Sequence, residues 1–176
     1  MNMKNTDTKD VSGQILIVDD KLLNLRILTS FLEKQGFIVE QLQNGELVMP
    51  LVKKTPPDLI LLDVMMPKIN GFEVCKQLKA DASTQDIPII FISSLSNTSN
   101  TIKAFSVGGV DYINKPFQEK EVLARVQTHI SLRKTQQDLQ AKNMKLKKEI
   151  NERESIEKEL LESKKILKAF LRCQQI

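Results

Sequence analysis

The run Leu59-Ile60-Leu61-Leu62-Asp63 restricts the fold more than any other stretch of the chain. Four apolar residues pass directly into an acid, with no polar alternation, so the run reads as a strand covered on both faces. A buried carboxylate is costly, which places Asp63 at the strand end, where water or a cation reaches it. Ile15-Leu16-Ile17-Val18 ends the same way at Asp19-Asp20, and Ile89-Ile90-Phe91-Ile92 ends at Ser93-Ser94. Asp111-Tyr112-Ile113-Asn114 ends at Lys115-Pro116. Ligands of open parallel sheets bind beyond the carboxyl ends of the strands, so three acids, a hydroxyl and a lysine meet where binding is expected.

Helical signals fill the gaps between these strands. Asp20 opens a first helix, its acid near the positive end of the helix dipole, with Leu25, Leu28, Phe31 and Leu32 as its buried stripe and Gly36 as its C-terminal stop. Phe37–Leu42 is a second strand. Glu46–Lys54 is a weaker helix, and Pro50 inside it implies an irregular start. Gly71–Ala80 is a helix turning Val74, Cys75 and Leu78 inward. The fourth strand spans Ile87–Ser93, and Thr101–Val107 is a short helix stopped by Gly108-Gly109. Strand and helix thus alternate five times, which predicts an α/β fold with a parallel sheet covered on both faces.

From residue 119 to residue 176 there is neither Gly nor Pro. Leu123, Val126 and Ile130 face the sheet. Beyond them Leu132, Leu139, Leu146, Leu160 and Leu167 fall on one seven-residue register, interrupted by Arg153, and Gln136, Asn143, Ile150, Glu157 and Lys164 fall on its companion. That pattern predicts a long C-terminal helix pairing as a two-stranded coiled coil, with Leu132, Leu139, Asn143, Leu146 and Ile150 as the dimer seam. The expected organisation is a flexible leader at 1–12, a globular domain at 13–132 and a helical linker at 133–176.

The charge is divided accordingly. Residues 1–120 carry 13 Lys/Arg against 14 Asp/Glu, and residues 121–176 carry 13 against 8, so the basic balance belongs to the tail. Its positive charges alternate with Glu, and no helix-turn-helix pattern follows, so no nucleic-acid partner is expected. No apolar run reaches the ~20 residues needed to span a bilayer, and the polar start is no signal peptide. Cys75 and Cys173 form neither a metal-spacing motif nor a disulfide framework. A cytoplasmic protein without membrane contact is expected, a portion of a longer polypeptide being the reading that suits the tail.

Asp19, Asp20 and Asp63 would repel one another unless neutralised, and an all-oxygen set favours Mg²⁺, with Mn²⁺ as the alternative. Lys115 and Ser93 supply a positive charge and a hydroxyl that, with a cation, match the oxygens of a phosphoryl group in transfer. The Asp63 carboxylate is the candidate nucleophile. Neither a Walker-type loop nor a Gly-x-Gly-x-x-Gly run is present to hold a nucleotide.

Val18-Asp19-Asp20, Leu61-Leu62-Asp63-Val64-Met65-Met66-Pro67, Gly71, Ser93 and Asp111-Tyr112-Ile113-Asn114-Lys115-Pro116-Phe117 resemble the receiver domain of two-component response regulators, over roughly residues 13–132. The resemblance implies a flavodoxin-like sheet of order 2-1-3-4-5. It implies Asp63 as phosphoacceptor; Asp19, Asp20, Asp63 and the Met65 backbone carbonyl as metal ligands; Ser93 and Lys115 as phosphate-stabilising groups; and Ser93 and Tyr112 as the switch pair. A cis peptide between Lys115 and Pro116 is implied as well. The implied function is phosphorelay signalling. Asp63 would receive its phosphoryl group from a histidine kinase or histidine phosphotransfer protein, and the change would pass through the Ser93/Tyr112 face to the C-terminal helix. The receiver would catalyse its own phosphotransfer and dephosphorylation, with no kinase or output module in these residues; the tail resembles linkers of hybrid sensor kinases and other multi-domain signalling proteins. The competing reading is a pseudo-receiver that is never phosphorylated and serves as a dimerisation or interaction module.

Overall fold

The computed structural model describes residues 13–94 and 98–173. The expected leader at 1–12 lies outside them. Five parallel strands form one sheet: β1 (Gln14–Val18), β2 (Ile38–Leu42), β3 (Leu59–Asp63), β4 (Ile89–Ser93) and β5 (Asp111–Asn114), in the order β2-β1-β3-β4-β5. The central strands β3 and β4 are buried at every residue, as expected of apolar runs without alternation. The register aligns their carboxyl ends, pairing Val18 with Leu62, Asp63 with Ile92, and Ser93 with Asn114.

Among the described residues five α-helices accompany the sheet: α1 (Leu22–Glu33), α2 (Val48–Lys54), α3 (Gly71–Ala80), α4 (Thr98–Ser106) and α5 (Glu119–Cys173), the last packing on it through Val122, Val126 and Ile130. The sheet separates two cores. On one face α1 and α5 contribute Leu25, Leu28, Leu32, Val122, Val126 and Ile130 against Ile15, Ile17, Leu61 and Ile92. On the other, Val48, Val52, Val74, Cys75 and Leu78 pack on Leu16, Ile60, Leu62 and Phe91. Each fully buried Leu or Ile is worth about 1.5–3 kcal/mol, so the two cores dominate the stability.

Several boundaries differ from the sequence reading, each for a local reason. Helix α1 starts at Leu22 with Lys21 as its N-cap and has no acid in its first turn. Asp19, not Asp20, serves the helix start, accepting from the Lys21 amide at 2.8 Å. Gly36 adopts φ +86°, the left-handed conformation that reverses the chain after α1. The expected helix Glu46–Lys54 divides into a 3-10 turn, Gly45–Leu47, and α2. Pro50 then occupies the third position of α2, where a backbone N–H has no intrahelical acceptor, so the ring costs no hydrogen bond. Strand β4 starts at Ile89 because Pro88 cannot donate to the ladder. Helix α4 begins three residues earlier than the periodicity suggested and ends at Ser106, before the left-handed Gly108.

The chain divides into two compact units, Met1–Arg133 and Lys134–Ile176. In the first, the Arg133 guanidinium donates to the Pro57 carbonyl at 2.6 Å, tying the end of that unit to the loop before β3. In the second, α5 continues without interruption and its described side chains from Thr135 onward are exposed. No helix among the described residues is long and apolar enough to cross a membrane.

Candidate functional site

The ends of β1, β3 and β5 converge on one hollow. Asp19 follows β1 and Asp63 closes β3; they are 0% and 2% exposed, rare for acids and a mark of a group held for function. One carboxylate oxygen from each of Asp19, Asp20 and Asp63 lies within 4.8 Å of the others. The Lys115 ammonium reaches in from beyond β5 and contacts Asp19 Oδ2 at 2.8 Å and Asp63 Oδ2 at 3.0 Å. The peptide bond between Lys115 and Pro116 is cis. The Lys115 amide donates to the Ser93 carbonyl at 2.9 Å, joining the ends of β4 and β5 beneath the hollow.

Each acid has a distinct setting. Asp19 is held from several sides: the Asn24 amide contacts both its oxygens at 2.9 and 2.8 Å, and the Lys21 amide donates to Oδ1. Asp20 has a buried oxygen, Oδ1, with no hydrogen-bond partner. Asp63 accepts a long bond of 3.4 Å from the Met65 amide. Burial, and then the Asp19 charge, push the Asp63 carboxyl above the ordinary carboxylate range, and Lys115 only partly opposes them.

Gly71 fixes the wall behind Asp63. A methyl group there would collide with the Asp63 carbonyl oxygen, and the Gly71 amide donates to the Val64 carbonyl at 3.0 Å. The Asn70 side chain accepts from the Glu73 amide and caps α3. The turn from β3 into α3 is therefore pinned at both ends.

The residues named from the sequence are distributed as follows. Asp19, Asp20, Asp63 and Lys115 come together in the hollow. Ser93 is fully buried, one residue beyond the β4 partner of Asp63. Met65 has an exposed side chain in the loop after β3. Tyr112 is only 7% exposed and belongs to the core that contains Phe91 and Ala104. Leu132, Leu139, Leu146 and Ile150 are exposed along α5, as is Asn143. His129 contacts Asp111 at 3.1 Å beside the Arg125–Asp111 ion pair, away from the hollow.

Sequence reasoning missed Asn24. Its signal was an amide five residues after Asp19, within the first turn of α1, where a side chain can reach back to the preceding strand end.

The hollow suits a hard divalent cation. Its donors are all oxygens, they lie within reach of one centre, and Asp20 brings a buried oxygen that no protein donor satisfies.

Comparison with known proteins agrees with this geometry. The family model described as response regulator receiver domain matches residues 15–127. The DNA-binding dual master transcriptional regulator RpaA of Synechocystis sp. is 40% identical over 113 residues, 64% of this chain and 47% of that protein. The response regulator PleD of Caulobacter vibrioides is 36% identical over 118 residues, 67% of this chain and 26% of that protein. This chain thus spans about half the length of the first relative and about a quarter of the second. A solved receiver domain of a signal transduction histidine kinase from Syntrophus aciditrophicus superposes with a TM-score of 0.63 at 32% identity, covering 68% of this chain and 90% of that one. The chain belongs to the response regulator receiver domain family, the signal-receiving module of two-component phosphorelays.

Proposed function

We propose that Asp63 accepts a phosphoryl group from a phosphohistidine on a histidine kinase or histidine phosphotransfer protein. The observation that carries this reading is the contact of Lys115 with both Asp19 and Asp63 in a hollow lined by three carboxylates. An Asp63 oxygen attacks phosphorus, the O–P bond forms as the P–N bond to the donor imidazole breaks, and the imidazole leaves with its proton. Lys115 and Ser93 offer positive charge and a hydroxyl to the transferred oxygens. Asp19, Asp20, Asp63 and the Met65 carbonyl are the residues that would hold Mg²⁺, whose charge offsets that of the carboxylates and the incoming phosphoryl group. The same residues serve hydrolysis of the acyl phosphate, so the chain contributes to its own reset.

The proposed output runs through Ser93 and Tyr112. Phosphate on Asp63 draws the Ser93 hydroxyl toward it, and Tyr112, already seated among Phe91 and Ala104, is fixed in that position. The coupling is limited by the difference in stability that phosphate makes between the two arrangements. The linker at 133–176 is assigned to self-association as a coiled-coil dimer through its seam. The cytoplasm is the compartment in which these partners and Mg²⁺ meet.

The test is intact mass after incubation with acetyl phosphate and Mg²⁺. The expected result is a gain of one phosphate on the wild type and none on Asp63→Asn. A gain on both places the acceptor elsewhere, and a gain on neither leaves the chain an unphosphorylated interaction module.

A further inference from the structure

The loop from β3 to α3 carries the Met65 carbonyl, the backbone group proposed to hold the ion, and its middle is strained. Among the described residues other than glycine, Lys68 alone has a positive φ, +69°. The Ile69 amide donates to the Pro67 carbonyl across it at 2.9 Å. A three-residue turn with positive φ at its centre is the rare, strained form, and a side chain at that centre adds to the cost. Such a turn persists where its surroundings hold it. Gly71 and Asn70 fix the far end of the loop. The hold on its middle comes from another loop.

Asn44-Gly45-Glu46, between β2 and α2, meets the strained turn. Gly45 is buried, and a β-carbon on it would come within 2.8 Å of Ile69 Cγ2 and 3.1 Å of Met66 Cε. Gly45 has no positive φ, so its missing side chain makes room and is not needed for the backbone conformation. Residues on both sides of the turn thus rest against one glycine. The Lys68 ammonium, between them in sequence, reaches Glu46 Oε2 at 3.1 Å. Asn44 sets that carboxylate, accepting from the Glu46 amide at 2.9 Å and donating to Oε2 at 3.1 Å. An exposed ion pair contributes little, so the packing on Gly45 carries most of the restraint and the Lys68–Glu46 pair adds to it.

We propose that Gly45 and Glu46 are positioning residues for the divalent cation: by holding the strained turn at Lys68 they preset the Met65 carbonyl before the ion arrives. The proposal rests on the reading of Asp19, Asp20, Asp63 and the Met65 carbonyl as the ion's ligands, and it assigns the restraint behind them to a loop that supplies no ligand. A carbonyl fixed beforehand needs no ordering on binding, so loosening its support lowers affinity while every ligand stays in the chain.

Thermal melts of the full chain in EDTA and over a series of MgCl₂ concentrations test this. The rise in melting temperature with Mg²⁺ reports the affinity of the folded protein separately from its metal-free stability. Gly45→Ala is expected to weaken Mg²⁺ binding about tenfold. Lys68→Ala is expected to weaken it about threefold, the ratio that an exposed ion pair corresponds to. Glu46→Lys combined with Lys68→Glu restores the pair with its charges exchanged, and is expected to bind Mg²⁺ more tightly than Glu46→Lys alone. Wild-type affinity in Gly45→Ala, whatever its melting temperature in EDTA, overturns the proposal, because the contact then serves the fold alone. Where Gly45→Ala does not fold, the pair decides: wild-type affinity in Lys68→Ala, or no gain from the exchanged charges, overturns it. A wild type whose melting does not respond to Mg²⁺ overturns instead the reading of the hollow as an ion site.

Discussion

Asp63 is expensive to the fold. Its carboxyl is held above the usual range by burial and by Asp19, so its ionised form is destabilising near neutral pH. Asp63→Asn should raise the stability of the metal-free protein by about 0.5–2 kcal/mol, the usual gain when a functional group is replaced by a quieter one. Chemical denaturation in EDTA checks this, and Mg²⁺ should then stabilise the variant less than the wild type. Asn24 is the opposite case. It holds both oxygens of Asp19, and Asn24→Ala should cost about 1–2 kcal/mol while loosening one of the acids proposed to hold the ion. A fall in Mg²⁺ affinity, read by titration with thermal melts, is the companion measurement. The acids and the lysine were legible from sequence because each ends an apolar strand. Asn24 was not, because one amide on a helix has no pattern until the strand end it touches is known.

At the scale of elements, the joint between β3 and α3 tolerates least. Gly71 lies against the Asp63 carbonyl, and Gly71→Ala should destabilise by about 1–3 kcal/mol through forced displacement of the backbone that carries Asp63. Equilibrium unfolding gives the magnitude, and phosphate uptake from acetyl phosphate should fall more than the loss of folded protein accounts for. Strand positions were read well because unbroken apolar runs have few alternatives in a covered parallel sheet. Helix edges were read less well. Pro50 implied an irregular start to its helix, and the fold has one, a 3-10 turn after which α2 begins two residues before the ring. The start of α4 was missed because Thr98, Ser99 and Asn100 carry no apolar periodicity. Strand order came from family resemblance, since alternation alone leaves several right-handed arrangements open.

Across the whole receiver unit, acid sensitivity should centre on Asp111. Burial alone would raise its pKa, but the Arg125 guanidinium, the Tyr112 amide and His129 together hold it below the ordinary value. A depressed carboxyl lends stability that is complete above its unfolded pKa of about 3.9 and is lost as pH falls through the folded value. Asp81, bonded by Lys53 and Ser83, adds a contribution of the same sign. Asp63 opposes both, since its raised pKa favours the folded state as it takes up a proton. Asp111→Asn should therefore flatten the decline in stability below about pH 4 while lowering stability at neutral pH, a comparison that urea melts at several pH values make directly.

One ammonium group, in contact with two of them, stands among three carboxylates at the mouth of the sheet. With all three acids ionised, the recess is two positive charges short. A sodium ion would leave it anionic and a lanthanide would overshoot, whereas an alkaline-earth ion brings it level. Selection among guests thus begins with valence, before radius or coordination number has any say.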